Sequence, residues 1–113
     1  MNICKGIRGA ITVENNSREE ILDSTRELLL KIIEENQIKQ ETLAAVWFTT
    51  TVDLNAEFPA VAARELGWHD VALLCGHEMD VPGSLDMCIR VLILVNTEKS
   101  NDELKHVYLG KAE

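Results

Sequence analysis

The sequence predicts an α+β domain, a mixed β-sheet with helices packed on one face. Three observations carry that prediction. Residues 2–13 alternate apolar with small or polar side chains, residues 17–36 repeat apolar side chains at helical spacing, and helical segments separate the early strands from one another. At 113 residues, 46% of them hydrophobic, the chain has the length and composition of one domain spanning residues 1–113. Aromatic residues are few (two Trp, two Phe, one Tyr), and small aliphatic domains of this kind often gain burial by oligomerising.

In the first strand Ile3, Ile7, Ile11 and Val13 are expected on one face, with Cys4, Gly6, Arg8, Ala10 and Thr12 on the other. Ser17 and Glu20 form a capping-box pattern, followed by Ile21, Leu22, Thr25, Leu28, Leu29, Ile32 and Ile33, so an amphipathic helix over 17–36 is expected, with Asn36 as its stop. Residues 43–52, LAAVWFTTTV, are β-branched and aromatic enough for a buried strand. In FPAVAARELG, Pro59 near the start and Gly67 just past the end mark a short helix. A third strand, VALLC, leads into His77 and Glu78. Pro82-Gly83-Ser84 is a turn, residues 86–96 form a fourth strand, Ser100 to Glu103 open one helical turn, and His106 to Leu109 form a last short strand.

Charge and motifs narrow the function. A formal net charge of −8, without a Lys/Arg run, argues against nucleic acid as a partner. MNICKGIRGAITV lacks the apolar core of a signal peptide, and no apolar run approaches the ~18 residues of a membrane span. A cytoplasmic protein with no membrane partner is expected. Cys4, Cys75 and Cys88 are odd in number with no CxxC, so reduced thiols packed as small hydrophobes are expected. Cys75-Gly76-His77 offers two ligands where a metal site needs more. The chain contains no GxSxG, P-loop, GxGxxG or HExxH pattern.

Two arginines break the apolar pattern. In the fourth strand Met87, Ile89, Val91, Ile93 and Val95 form one apolar face, while Arg90 shares the other with Cys88, Leu92 and Leu94. Arg8 occupies a similar position in the first strand. A lone arginine there can extend to solvent or pair with an acidic residue. Two of them, with Glu78 after a third strand and Tyr108 on another, can also converge on one pocket. Gly6, Gly9 and Ala10 beside Arg8 leave room for a ligand, and two guanidinium forks match a small dicarboxylate.

The segments GIRGAITVENNS (6–17), FPAVAARELGWH (58–69), EMDV (78–81), CIRVLILVNT (88–97) and HVYLGKA (106–112) resemble, nearly end to end, the monofunctional AroH-type chorismate mutases first known from bacilli. The resemblance implies a homotrimer, a pseudo-α/β-barrel with active sites at the subunit clefts. It also implies the Claisen rearrangement of chorismate to prephenate, on the route to phenylalanine and tyrosine, with no metal or other cofactor. By resemblance Arg90 and Glu78 are catalytic, Arg90 donating to the ether oxygen and Glu78 accepting from the ring hydroxyl. Arg8 and Tyr108 bind carboxylates, and Leu74, Cys75, Gly76 and His77 line the wall near the ring hydroxyl. Phe58, Ala60 and Arg64 come from the neighbouring subunit. Val61 stands where some members carry a lysine, and relatives continue past Lys111-Ala112 into a mobile tail.

Overall fold

The computed structural model describes residues 2–113. Strand β1 (Ile3–Thr12) leads to helix α1 (Arg18–Asn36), then β2 (Leu43–Thr50), helix α2 (Ala60–Glu65), β3 (Ala72–His77), β4 (Cys88–Thr97) and β5 (Val107–Leu109). Short 3₁₀ turns occupy 40–42, 101–103 and 110–112. The five strands form one sheet in the order β3-β2-β4-β1-β5. Central β4 runs antiparallel to both β1 and β2, whereas β3 pairs parallel with β2 and β5 parallel with β1. The sheet is therefore mixed, as the alternation of strands and helices predicts.

Both helices lie on one face. Helix α1 packs on β1 and β5, and α2 packs on β3 and α1. Ile21, Leu28, Leu29 and Ile32 of α1 are buried against Ile7, Ile11, Val46, Phe48, Ile89, Val91, Ile93 and Val95 of the sheet. Each such side chain contributes about 1.5–3 kcal/mol on leaving water, so this helix-to-sheet seam is the main source of stability. The other sheet face is open, with Trp47, Leu74 and Leu92 exposed on it. Among the described residues no helix is long and apolar enough to cross a membrane.

Several sequence expectations change here. Strand β2 is buried on one face alone: Val46, Phe48 and Thr50 point into the core, while Trp47 is 45% exposed. It ends at Thr50 rather than 52, and β3 runs on to His77. Ile3, paired with Thr97 at the far end of the β1–β4 ladder, lies past the buried positions and is exposed, as is Cys4 beside it. The room at Gly9 serves packing: a Cβ there would lie 2.8 Å from Ile32 Cδ1 and 3.0 Å from the Val107 carbonyl oxygen. The absent side chain lets α1 and β5 close on β1.

Local hydrogen bonds set the element ends. Ser17 Oγ accepts from the Glu20 N–H (3.1 Å), but Glu20 Oε1 reaches back to the Asn15 N–H (3.1 Å), so the expected box closes outside the cap residue. Helix α1 stops at Gln37, which has φ 52°. Asn36, nearly fully buried, stays in the last turn: Nδ2 donates to Ile32 O (3.0 Å) and Lys105 O (2.9 Å), and Oδ1 accepts from the Lys105 N–H (2.7 Å). Strand β4 starts at Cys88 rather than 86 because Met87 takes a left-handed backbone, φ 52°. That turn is held by Asp53 Oδ2 accepting from the Met87 N–H (3.1 Å) and by Thr51 Oγ1 accepting from the Cys88 N–H (3.0 Å).

Asn36→Ala removes all three bonds and leaves the Lys105 amide without its partner. The substitution is expected to destabilise the fold by about 1–3 kcal/mol, read as a lower urea midpoint at unchanged slope.

Candidate active site

The β registers line up a row of residues across the open face: Gly76, Thr49, Arg90, Ala10 and Tyr108, each paired with the next. The adjoining row is Leu74, Trp47, Leu92 and Arg8. Alternation along β4 produces this arrangement, since burying Ile89 and Val91 turns Arg90 outward.

These rows floor a cavity of about 500 Å³ lined by Arg8, Ala10, Trp47, Thr49, Glu78, Arg90, Tyr108 and Lys111, among others. Glu78 is the sole carboxylate among its lining residues, against Arg8, Arg90 and Lys111. An acidic chain thus presents a locally cationic concavity, suited to an anion of small-molecule size. The four residues expected to converge, Arg8, Glu78, Arg90 and Tyr108, all line it.

Arg90 and Glu78 approach only to 3.9 Å, and both side chains are partly exposed. A contact of that kind is worth about 0–1 kcal/mol, so the guanidinium fork remains available to a ligand. Glu78 is fixed from elsewhere. Its N–H donates to Thr50 O (2.8 Å), and Thr49 Oγ1 donates to its Oε2 (2.5 Å). The Cys88 thiol, two residues from Arg90 on the same strand, is pushed up in pKa by burial, partly offset by the Arg90 guanidinium.

The other expected site residues gather elsewhere in this chain. Phe58, Cys75, Gly76 and His77 line a second cavity of about 350 Å³. Ala60 is buried at the start of α2, and its N–H faces the Cys75 sulfur, with the Arg64 charge nearby. Burial is the largest influence on that thiol and raises its pKa, while Ala60 and Arg64 act against it. Thr50 lines this cavity and Thr49 the first, so the two hollows lie on opposite faces of β2. His77 Nδ1 lies 3.1 Å from Thr50 Oγ1. The same hydroxyl lies 3.1 Å from Leu54 O, to which it can donate. Leu74 lines neither cavity and is exposed on the open face beside Trp47.

Residues 4–113 match the family model described as chorismate mutase type I. The chain belongs to that family. A chorismate mutase from Thermus thermophilus is 56% identical over 109 residues, covering 96% of this chain and 89% of the relative. One from Bacillus subtilis is 52% identical over 108 residues, covering 95% and 85%. A chorismate mutase structure from Clostridium thermocellum superposes with a TM-score of 0.94 at 48% identity, covering 96% of each chain.

Thr49, Trp47 and Lys111 also line the cavity, although no motif in the sequence marks them as binding residues. A hydroxyl following Trp47 and Phe48 was the available signal for Thr49, because strand parity sets it on the face opposite Phe48. Lys111 gives no such signal: it reaches the cavity through a turn in which Gly110 has φ 63° and the Lys111 N–H donates to Thr12 Oγ1 (2.9 Å).

Thr49→Val keeps the shape of the side chain and deletes the donor to Glu78. Turnover of the substrate proposed below is expected to fall about tenfold in kcat, with Thr49→Ser recovering most of it; equal rates for the two variants would count against this bond.

Proposed function

We propose that the chain is a chorismate mutase, an isomerase that converts chorismate to prephenate, with residues 1–113 forming one catalytic domain. The observation that carries this reading is the convergence of Arg8, Arg90, Tyr108 and Glu78 on one cationic cavity in a chain of the type I family.

The rearrangement forms a carbon-carbon bond while the ether carbon-oxygen bond breaks, all within one molecule. Nothing leaves and no proton has to move to the protein. Catalysis therefore rests on holding the compact chair-like conformer and on meeting negative charge that grows on the ether oxygen. Arg90 donates to that oxygen and to a carboxylate, Arg8 and Tyr108 hold carboxylate groups, and Glu78 accepts from the ring hydroxyl. An apolar strand suits Arg90 because a charge fixed in a partly dry setting does not have to reorganise during the reaction.

The chain works as a homotrimer of pseudo-α/β-barrel form, with the open sheet faces turned toward the axis. The exposed Leu74, Trp47 and Leu92 row on that face supports this, since a second copy would remove it from water. In the trimer Phe58, Ala60 and Arg64 of one copy complete the cavity of the next. Cys75 lies beside Ala60 and Arg64 in this chain, which favours the wall from Leu74 to His77 moving with them as one block. The working compartment is the cytoplasm, where the three free cysteines stay reduced.

A purely structural role for the arginines would need them paired internally. Arg8 makes no ion pair among the described residues, and the Arg90 contact is loose. Loss of chorismate absorbance on adding the purified protein tests the reading. An unchanged signal at saturating chorismate would favour a binder of some other carboxylate metabolite. Light scattering should give three times the 12.7 kDa chain mass.

Arg90→Ala is expected to lower kcat on the order of 100- to 1000-fold; a near wild-type rate would remove Arg90 from the central role. Because no group has to give or take a proton, kcat should change little between about pH 6 and 9. A bell-shaped profile centred near neutrality would point to acid-base catalysis instead.

A further inference from the structure

The Arg8 backbone N–H, on the edge of β1 that faces β5, donates to the imidazole Nδ1 of His106 at 2.9 Å. The backbone register between these strands begins one residue later, at Gly9↔Val107. The imidazole thus extends the β1–β5 ladder by one bond, the side chain of the residue next in register accepting in place of a backbone carbonyl. A backbone N–H can only donate, so Nδ1 must hold a lone pair and the ring hydrogen must sit on Nε2.

The bond joins one member of the proposed carboxylate-binding pair, Arg8, to the segment that leads into the other, Tyr108. Arg8 itself lines the cavity, and Tyr108, two residues after His106, lines it from β5. Strand β5 has three residues and three register pairs with β1, a small number to fix a site side chain. The segment just before it is anchored a second time, by the paired bonds between Asn36 and the Lys105 backbone. Residues 105 and 106 are therefore held from α1 on one side and from β1 on the other.

We infer that His106 is a positioning residue: its neutral imidazole, accepting from the Arg8 amide, sets the spacing between the Arg8 guanidinium and the Tyr108 hydroxyl. This inference rests on the chorismate mutase reading for its kinetic consequence alone. Arg8 and Tyr108 grip carboxylates that are present before and during the reaction, so loosening them weakens ground state and transition state together. The defect appears in KM, with kcat largely retained.

The test compares two variants of similar shape. In His106→Asn the side-chain oxygen stands the same number of bonds from Cα as Nδ1 and can accept from the Arg8 amide. In His106→Leu a methyl group takes that place. His106→Leu should raise KM about tenfold with kcat within about threefold of wild type, and His106→Asn should restore KM to within about threefold. Equal KM values for the two variants, whether both normal or both raised, would overturn the proposal.

A second measurement is independent of turnover and of whether the Leu variant folds. Nitrogen-15 NMR of the wild-type protein should show His106 protonated on Nε2 with Nδ1 bare, and slow hydrogen exchange at the Arg8 amide. A proton on Nδ1, or fast exchange at that amide, would refute the clamp. Failure of the wild-type protein to consume chorismate would sink the functional reading while leaving this NMR result to decide the clamp.

Discussion

The position of β4 at the centre of the sheet, with aliphatic side chains locked into the core on one side, is the constraint on which the site depends. Ile89, Val91, Ile93 and Val95 are all buried beneath the helices, and alternation leaves Arg90 no choice of face. A register slip of one residue would drive the guanidinium into the helix-sheet seam and expose the aliphatic row, an outcome costly on both counts. Pairing on both edges of β4 then transmits the same phase to β1 and β2. Arg8 and Thr49 face the cavity for the reason Arg90 does.

Around that frame the chain separates stability from chemistry. Bulky aliphatic packing is concentrated between α1 and the covered face, where Gly9 lets Ile32 and Leu28 approach the strand. On the open face charge is placed sparingly. Glu78 answers the two arginines from just beyond β3, and it is fixed by a hydroxyl and a backbone carbonyl rather than by the arginine opposite it. A ligand can therefore engage Arg90 without first breaking a strong internal ion pair.

Much of this was legible from residue order. The period of two in β1 and β4 and the helical stripe of α1 report burial over most of their length, and those elements lie where pattern puts them to within two residues at each end. The convergence of Arg8, Arg90, Glu78 and Tyr108 was foreseeable because parity assigns each a face. Contacts that depend on strand order were not. The antiparallel pairing that sets Thr49 beside Arg90, the left-handed turn at Met87 and the clamp from His106 to Arg8 join residues 41, 34 and 98 positions apart or hinge on backbone shape. Hydrophobic periodicity carries no signal for such pairings. The exposure of Trp47 is hidden for a related reason: LAAVWF is apolar at every position, and such a run does not say which of its faces is covered.

The parallel pairing of β5 with β1 has a consequence for how the site comes into being. Synthesis makes Arg8 near the beginning, yet the edge of β1 that receives β5 stays bare until the residues near 107 have emerged. Every other strand lies earlier in the chain, so the ladder carrying Tyr108 is the last whose residues are made. During that interval β1 offers an unpaired strand edge, and the cationic hollow lacks one wall. Completion of the cavity wall within one chain therefore waits on its last strand, which carries Tyr108.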